Sequence, residues 1–216
     1  MAVPPSRWLV LLALALGEGC TSSAGPRRTL PPPSGDGWVG SRYLRAADPA
    51  LASATDSPPE ARRAVDAAES LVGHRSIVLD GRDYGPDCSA LVRAAYEHAG
   101  HPLPAAARDA ASLHAVAERR GSLHPLTRCA PGDLLFLADR PGGPAVHVGL
   151  VAKVEPDGTA IVLHRLARGV ARVRVNLGYP NQIADPATGR RLNDTLLAGS
   201  SALPAGSLVV GVASAP

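Results

Sequence analysis

The stretch "DCSALV", residues 87–92, sets one of only three cysteines at the head of an apolar run. Leu91, Val92, Ala95 and Tyr96 recur at helical spacing, Asp87 is a suitable N-cap and Gly100 a suitable stop. These features predict a helix from about Cys88 to Ala99 with the thiol on its first turn. A helix N-terminus carries about half a positive charge and free N–H groups, which stabilise a thiolate and can face a developing oxyanion. The same cysteine also fits a small core residue, half of a disulfide or a metal ligand. The flanking sequence decides between these readings.

Upstream, "SPPE" (57–60) offers Ser57 as an N-cap, prolines at the first helical positions and Glu60 three residues on. The helix it starts has an apolar side of Ala61, Ala64, Val65, Ala68, Leu71 and Val72, and Gly73 stops it. Residues 74–86 read as a loop, and an Ala-rich helix is expected over about 105–120, closed by Gly121. Beyond "CAPGD" the period changes from helix to strand: 133–138, 147–155, 159–165 and 171–177, with "PDG" (156–158) as the turn between the second and third. Arg172 and Arg174 alternate with Val173 and Val175, which wets one face of that strand and favours antiparallel pairing. Residues 207–213 add an edge strand, and the stretch "DPATGRRLNDTLLAGSSALPAGS" (185–207) reads as loop-rich. Helices followed by a meander give an α+β fold, N-terminal helices packed on an antiparallel sheet with the cysteine at a helix N-terminus.

The chain starts with Arg7 and the apolar run "WLVLLALAL" (8–16), too short for the roughly 20 residues of a membrane span and suited to a signal peptide. The following "GEGC" is similar to a bacterial lipoprotein signal, with Cys20 as the lipidated residue, although Glu18 departs from that pattern. The other reading is a secreted protein cut nearby. Residues 1–20 are therefore expected to be the leader, the Pro/Gly/Ser-rich 21–56 a disordered linker, and 57–216 one domain with a C-terminal extension. An exported chain held to the membrane through Cys20 is expected, as a monomer.

The formal charge is +3, yet Lys153 is the only lysine and aromatics make up 3% of the chain, so a base-stacking surface is not expected. With Cys20 set aside, Cys88 and Cys129 are the one pair that export would allow to bridge. Closing that loop of about 40 residues is worth roughly 3 to 4 kcal/mol through chain entropy, but it would silence the thiol.

Two histidines favour chemistry. His147 opens "HVGLV" and His164 lies near the end of "TAIVLHR", so the hairpin brings both to the same end of paired strands. One imidazole can then take the thiol proton and later protonate a leaving amine, while the other holds its orientation. Taken singly, His147 also suits a strand end and His164 an exposed strand residue. As metal ligands, Cys88, His147 and His164 would make a zinc set without Cys-x-x-Cys spacing or an obvious carboxylate.

In order, "DCSALV", "LPAA" (103–106), "PGDLLF" (131–136), "HVGLV" and "IVLHR" resemble the NlpC family of papain-like cysteine peptidases that cut bacterial cell-wall stem peptides, over about residues 60–177. The resemblance implies Cys88 as nucleophile, His147 as base and His164 as its orienting partner, no cofactor, no metal, and peptidoglycan as the partner. It implies hydrolysis of amide bonds through an acyl-thioester. Ala90 stands where the family often has glycine, Ala105 and Ala106 replace an Arg/Ser-like stretch, and no tyrosine precedes the cysteine at the family's usual place, Tyr84 being a conceivable substitute. These departures keep an inactive wall-binding lipoprotein open, and the related CHAP amidases share the fold. Asp87 and Ser89 are either substrate contacts or a helix cap and a first-turn polar residue. Cys129 reads as a spectator, the glycosylation-like "NDT" at Asn193 as chance, and His74, His98, His101, His114 and His124 as surface.

Overall fold

The computed structural model describes residues 57–215. The expected leader, Cys20 and the linker lie outside the described residues.

Helix α1 (Pro59–Ser70) buries Ala61, Ala64, Ala67 and Ala68, a side of small residues that lets it lie close against the next helix. Its N-cap is Pro58 and not Ser57, whose buried hydroxyl has no hydrogen-bond partner. Residues 74–86 are more ordered than a loop: β1 (Val78–Leu79) and β2 (Arg82–Asp83) form a small antiparallel hairpin. Its turn residues Asp80 and Gly81 both have positive φ, 51° and 77°, the geometry that Asp-Gly favours. Helix α2 (Cys88–His98) follows, ending before Gly100. Helix α3 (Ala110–Arg120) begins later than its alanines suggest, because Asp109 and Ser112 form a reciprocal capping box, the Ser112 N–H donating to Asp109 Oδ1 at 2.7 Å.

Six strands make the main sheet: β3 (Leu123–His124), β4 (Leu134–Leu137), β5 (His147–Val154), β6 (Thr159–Leu166), β7 (Gly169–Asn176) and β10 (Val209–Ala213). Their order is β3-β10-β4-β5-β6-β7, and every pairing is antiparallel. The last strand is therefore not an edge. It inserts beside β4 and is itself covered by the two-residue β3.

Each face of the sheet has its own core. Leu134, Phe136, Val148, Leu150 and Leu163 point to the helices and pack with Leu91, Val92, Leu113 and their neighbours. On the other face Leu135, Leu137, Val151, Val162, Val173 and Val175 meet Ala198, Ala205 and Leu208 of the C-terminal extension. That extension holds a second hairpin, β8 (Thr195–Ala198) and β9 (Ser201–Pro204), which the loop-like composition concealed. Asn193 ties it down. Its Oδ1 accepts from the backbone of Asn176 at 2.7 Å and Gly206 at 3.0 Å, and its Nδ2 donates to the carbonyls of Tyr179 at 2.8 Å and Gln182 at 2.7 Å. A fully buried amide with both hydrogens committed is no glycan acceptor.

Candidate active site

Cys88 begins α2, and the helix is held in place by its buried side: Ala90, Leu91, Val92, Ala94, Ala95 and Tyr96. The Tyr96 hydroxyl donates to the Gly132 carbonyl in the turn before β4, pinning the helix to the sheet that carries the histidines. Asp87 occupies the N-cap with extended backbone, but its side chain makes no capping bond and is exposed to solvent. Ser89 is 2% exposed and its hydroxyl donates to the Arg108 carbonyl at 2.9 Å. That bond fastens the segment before α3 to the head of α2, so Ser89 serves the fold and has no free hydroxyl to offer a substrate.

His147 is the exposed first residue of β5, and His164 lies on β6 at 3% exposure. The register Leu150↔Leu163 continues to place Gly149 across from His164, making His147 its diagonal neighbour on the same face. A Cβ at Gly149 would lie 2.5 Å from Val162 Cγ1 and 2.9 Å from the Leu163 carbonyl oxygen. The glycine of "HVG" thus lets the two strands approach where the histidines sit. The imidazoles meet edge to face, centroids 5.5 Å apart at 83°. One donor atom from each of Cys88, His147 and His164 lies within 4.8 Å of the other two.

The electrostatics differ from what the helix start alone suggests. Burial pushes the Cys88 thiol above its ordinary value, opposed by the backbone N–H groups of Val148 and Ser89, and the Asp87 carboxylate adds to the rise. A helix N-terminus therefore does not by itself leave a readily ionised thiol here; proton removal falls to a base. Desolvation, and then the neighbouring His147, pull His164 down to about 4, so it is neutral at pH 7. Neither ring nitrogen of His164 has a hydrogen-bond partner. The contribution of the Val148 amide was hidden from sequence reasoning, since backbone groups leave no residue signature.

The NlpC/P60 family model matches residues 75–185, just over half of the chain. The chain belongs to the NlpC/P60 family. Its fold is the papain-like α+β arrangement of that family. Among solved structures, an NlpC/P60 family protein from Bacillus cereus is 22% identical with a TM-score of 0.46, covering 76% of this chain and 43% of its own. The peptidoglycan hydrolase RipB from Mycobacterium tuberculosis is 24% identical with a TM-score of 0.37, covering 63% of this chain and 70% of its own. A protein described as similar to lipoprotein, of the same family, from Staphylococcus aureus is 20% identical with a TM-score of 0.35, covering 61% and 41%. The chain thus spans less than half the length of the Bacillus cereus protein. No curated protein matches it.

Other residues of this NlpC/P60 chain sort differently from expectation. Cys88 and Cys129 are both free thiols. They belong to the cores on opposite faces of the sheet, which removes the disulfide reading. His124 is not a surface residue: it pairs with the buried Asp133 at 3.2 Å. Nor is His114, whose ring stands edge-on to Phe136 at 5.1 Å. Tyr84 packs at the rim of the helix-side core beneath the Arg82 guanidinium, 4.6 Å from its ring centre.

Proposed function

We propose that the chain is a cysteine peptidase that hydrolyses amide bonds in peptidoglycan stem peptides through an acyl-thioester on Cys88. The observation that carries this reading is the convergence of one thiol and two imidazoles within 4.8 Å, at a helix start, in an NlpC/P60 chain. His147, exposed at a strand end, takes the thiol proton as sulfur attacks the amide carbonyl, then delivers it to the leaving amine. The same imidazole next deprotonates the water that opens the thioester. His164 is a positioning residue: neutral and buried, its ring stands edge to face against that of His147 and holds its orientation by packing. The N–H groups of Val148 and Ser89, aimed at the sulfur, stabilise negative charge there as the proton leaves. With Ser89 committed to Arg108, Asp87 is the remaining candidate beside the nucleophile to meet a substrate amine.

In the same reading, residues 1–20 direct export, Cys20 carries a lipid anchor, 21–56 tether the enzyme, and 57–216 form the catalytic domain as a monomer. The test is digestion of purified sacculi and of defined stem peptides, followed by mass spectrometry. Cleavage that disappears in Cys88→Ala supports the assignment; undiminished cleavage in that variant refutes it. A mature N-terminus that begins beyond Cys20, or an unmodified Cys20, removes the anchor.

A further inference from the structure

We propose that Cys88, His147 and His164 also form a reversible binding site for a zinc ion, and that zinc held there switches the site off. The binding half of this inference stands on the donor atoms alone, whereas the switching half rests on the hydrolytic reading above.

One sulfur and two imidazole nitrogens are a donor set that zinc prefers, with a fourth position left for water. Hard cations such as magnesium and calcium take oxygen ligands, and this cluster provides none. Bonds of about 2.0 to 2.3 Å put the ligands of a tetrahedral site about 3.3 to 3.6 Å apart. The present separations, all within 4.8 Å, call for a contraction of at most about 1.5 Å. Exposed His147, the first residue of its strand, has the freedom to supply it. Among the described residues this is the one cluster of three or more such side chains with that spacing.

The second observation is His164. A side chain at 3% exposure with neither ring nitrogen hydrogen-bonded leaves two polar atoms unsatisfied in the interior. Leaving a buried polar atom without a partner costs about 1 to 3 kcal/mol, and coordination satisfies one of these nitrogens. As the sulfur–zinc bond forms, the thiol proton leaves to solvent, and no electron changes hands. The three atoms that would bind zinc are those that would attack, deprotonate and orient, so the ion and an acyl group exclude each other.

The test uses the whole chain stripped of metal with a chelator and titrated first with cobalt(II), then with zinc. One equivalent of cobalt is expected to bind with a thiolate-to-cobalt charge-transfer band, and one equivalent of zinc to displace it. Zinc affinity should fall at least about 100-fold in Cys88→Ser and at least about 10-fold in His147→Ala, each losing one of three ligands. A titration without the charge-transfer band, or zinc affinity unchanged in Cys88→Ser, overturns the proposal. Stem-peptide cleavage that continues at full rate with zinc bound overturns it equally. Cobalt binding with the expected band in a metal-free chain that cleaves nothing would sink the hydrolase reading and leave the binding site standing.

Discussion

Cys88 packs against the helix-side core and lies half-buried at the head of α2 with two imidazoles beside it, whereas on the far face of the sheet Cys129 is 1% exposed inside an aliphatic core. Burial raises the pKa of both thiols, and Asp133 adds to the rise at Cys129. The difference lies in what opposes that rise. Cys88 has N–H groups from Val148 and Ser89 directed at it and two imidazoles within reach; no such donor acts on the thiol of Cys129. In the proposed reading, placement is what sets one thiol apart from the other.

The largest effect should separate the two cysteines. Cys88→Ala is expected to lower stem-peptide cleavage at least about 1,000-fold, because in the proposed mechanism the thiol acts as a unit with its base. Cys129→Ala should leave the cleavage rate of the folded protein unchanged. A Cys129→Ala variant that folds normally yet fails to cleave would break the comparison.

A pH series sharpens it. His164 titrates near 6.5 when unfolded and at about 4 in the fold, so between those values the unfolded chain binds more protons and stability falls as pH drops. The contribution is fully present above pH 6.5 and lost by about pH 4, up to about 3 kcal/mol. Urea denaturation at pH 7 and pH 4.5 should show this loss in the wild type and a shallower one in His164→Leu. Parallel pH profiles in the two proteins would contradict it.

Two glycines test the site and the C-terminal extension separately. Gly149→Ala puts a methyl 2.5 Å from Val162 Cγ1, and Gly206→Ala puts one 2.6 Å from Pro180 Cα and 2.7 Å from Asn193 Oδ1. Each should destabilise by roughly 1 to 3 kcal/mol through overpacking. Only Gly149→Ala should also cut the activity of the folded fraction, by roughly 10-fold, because it forces apart the strands that carry His147 and His164. Equal losses of activity in both variants would mean that the C-terminal extension also shapes the site.

The smallest effect is in labelling. A thiol-alkylating probe should modify Cys88 slowly at pH 6 and faster as pH rises, since burial holds the thiol protonated. Cys129 should react only in denaturant. Rapid labelling of Cys88 at pH 6 would show that the N–H groups around the sulfur outweigh its burial.

Much of this was legible in the residues. Periodic apolar side chains marked α2 and strands β4 to β7, and the "PDG" turn forced the histidines together, because strand pairing follows from a short connection. What escaped was local or long-range. The hairpin at Val78–Asp83 has only two residues per strand, too few for a period to show, although Asp80-Gly81 carried the turn signal. The alanines at 105 to 107 favour helix, but the capping box at Asp109 and Ser112 decides where α3 starts. The position of β10 between β3 and β4 rests on non-local pairing, which a single strand's pattern does not encode. Ser89 illustrates the limit at the site itself: beside Cys88 in sequence, it turns inward to a carbonyl 19 positions away.

The central claim is acyl transfer to Cys88, and hydroxylamine partitioning tests it most directly. When stem peptides are digested with hydroxylamine present, a thioester is intercepted and the newly formed end appears partly as a hydroxamate, in a share that grows with hydroxylamine concentration. The account predicts that product with the wild-type chain and its absence with Cys88→Ala. Cleavage that yields only the free carboxylate at every hydroxylamine concentration would contradict it.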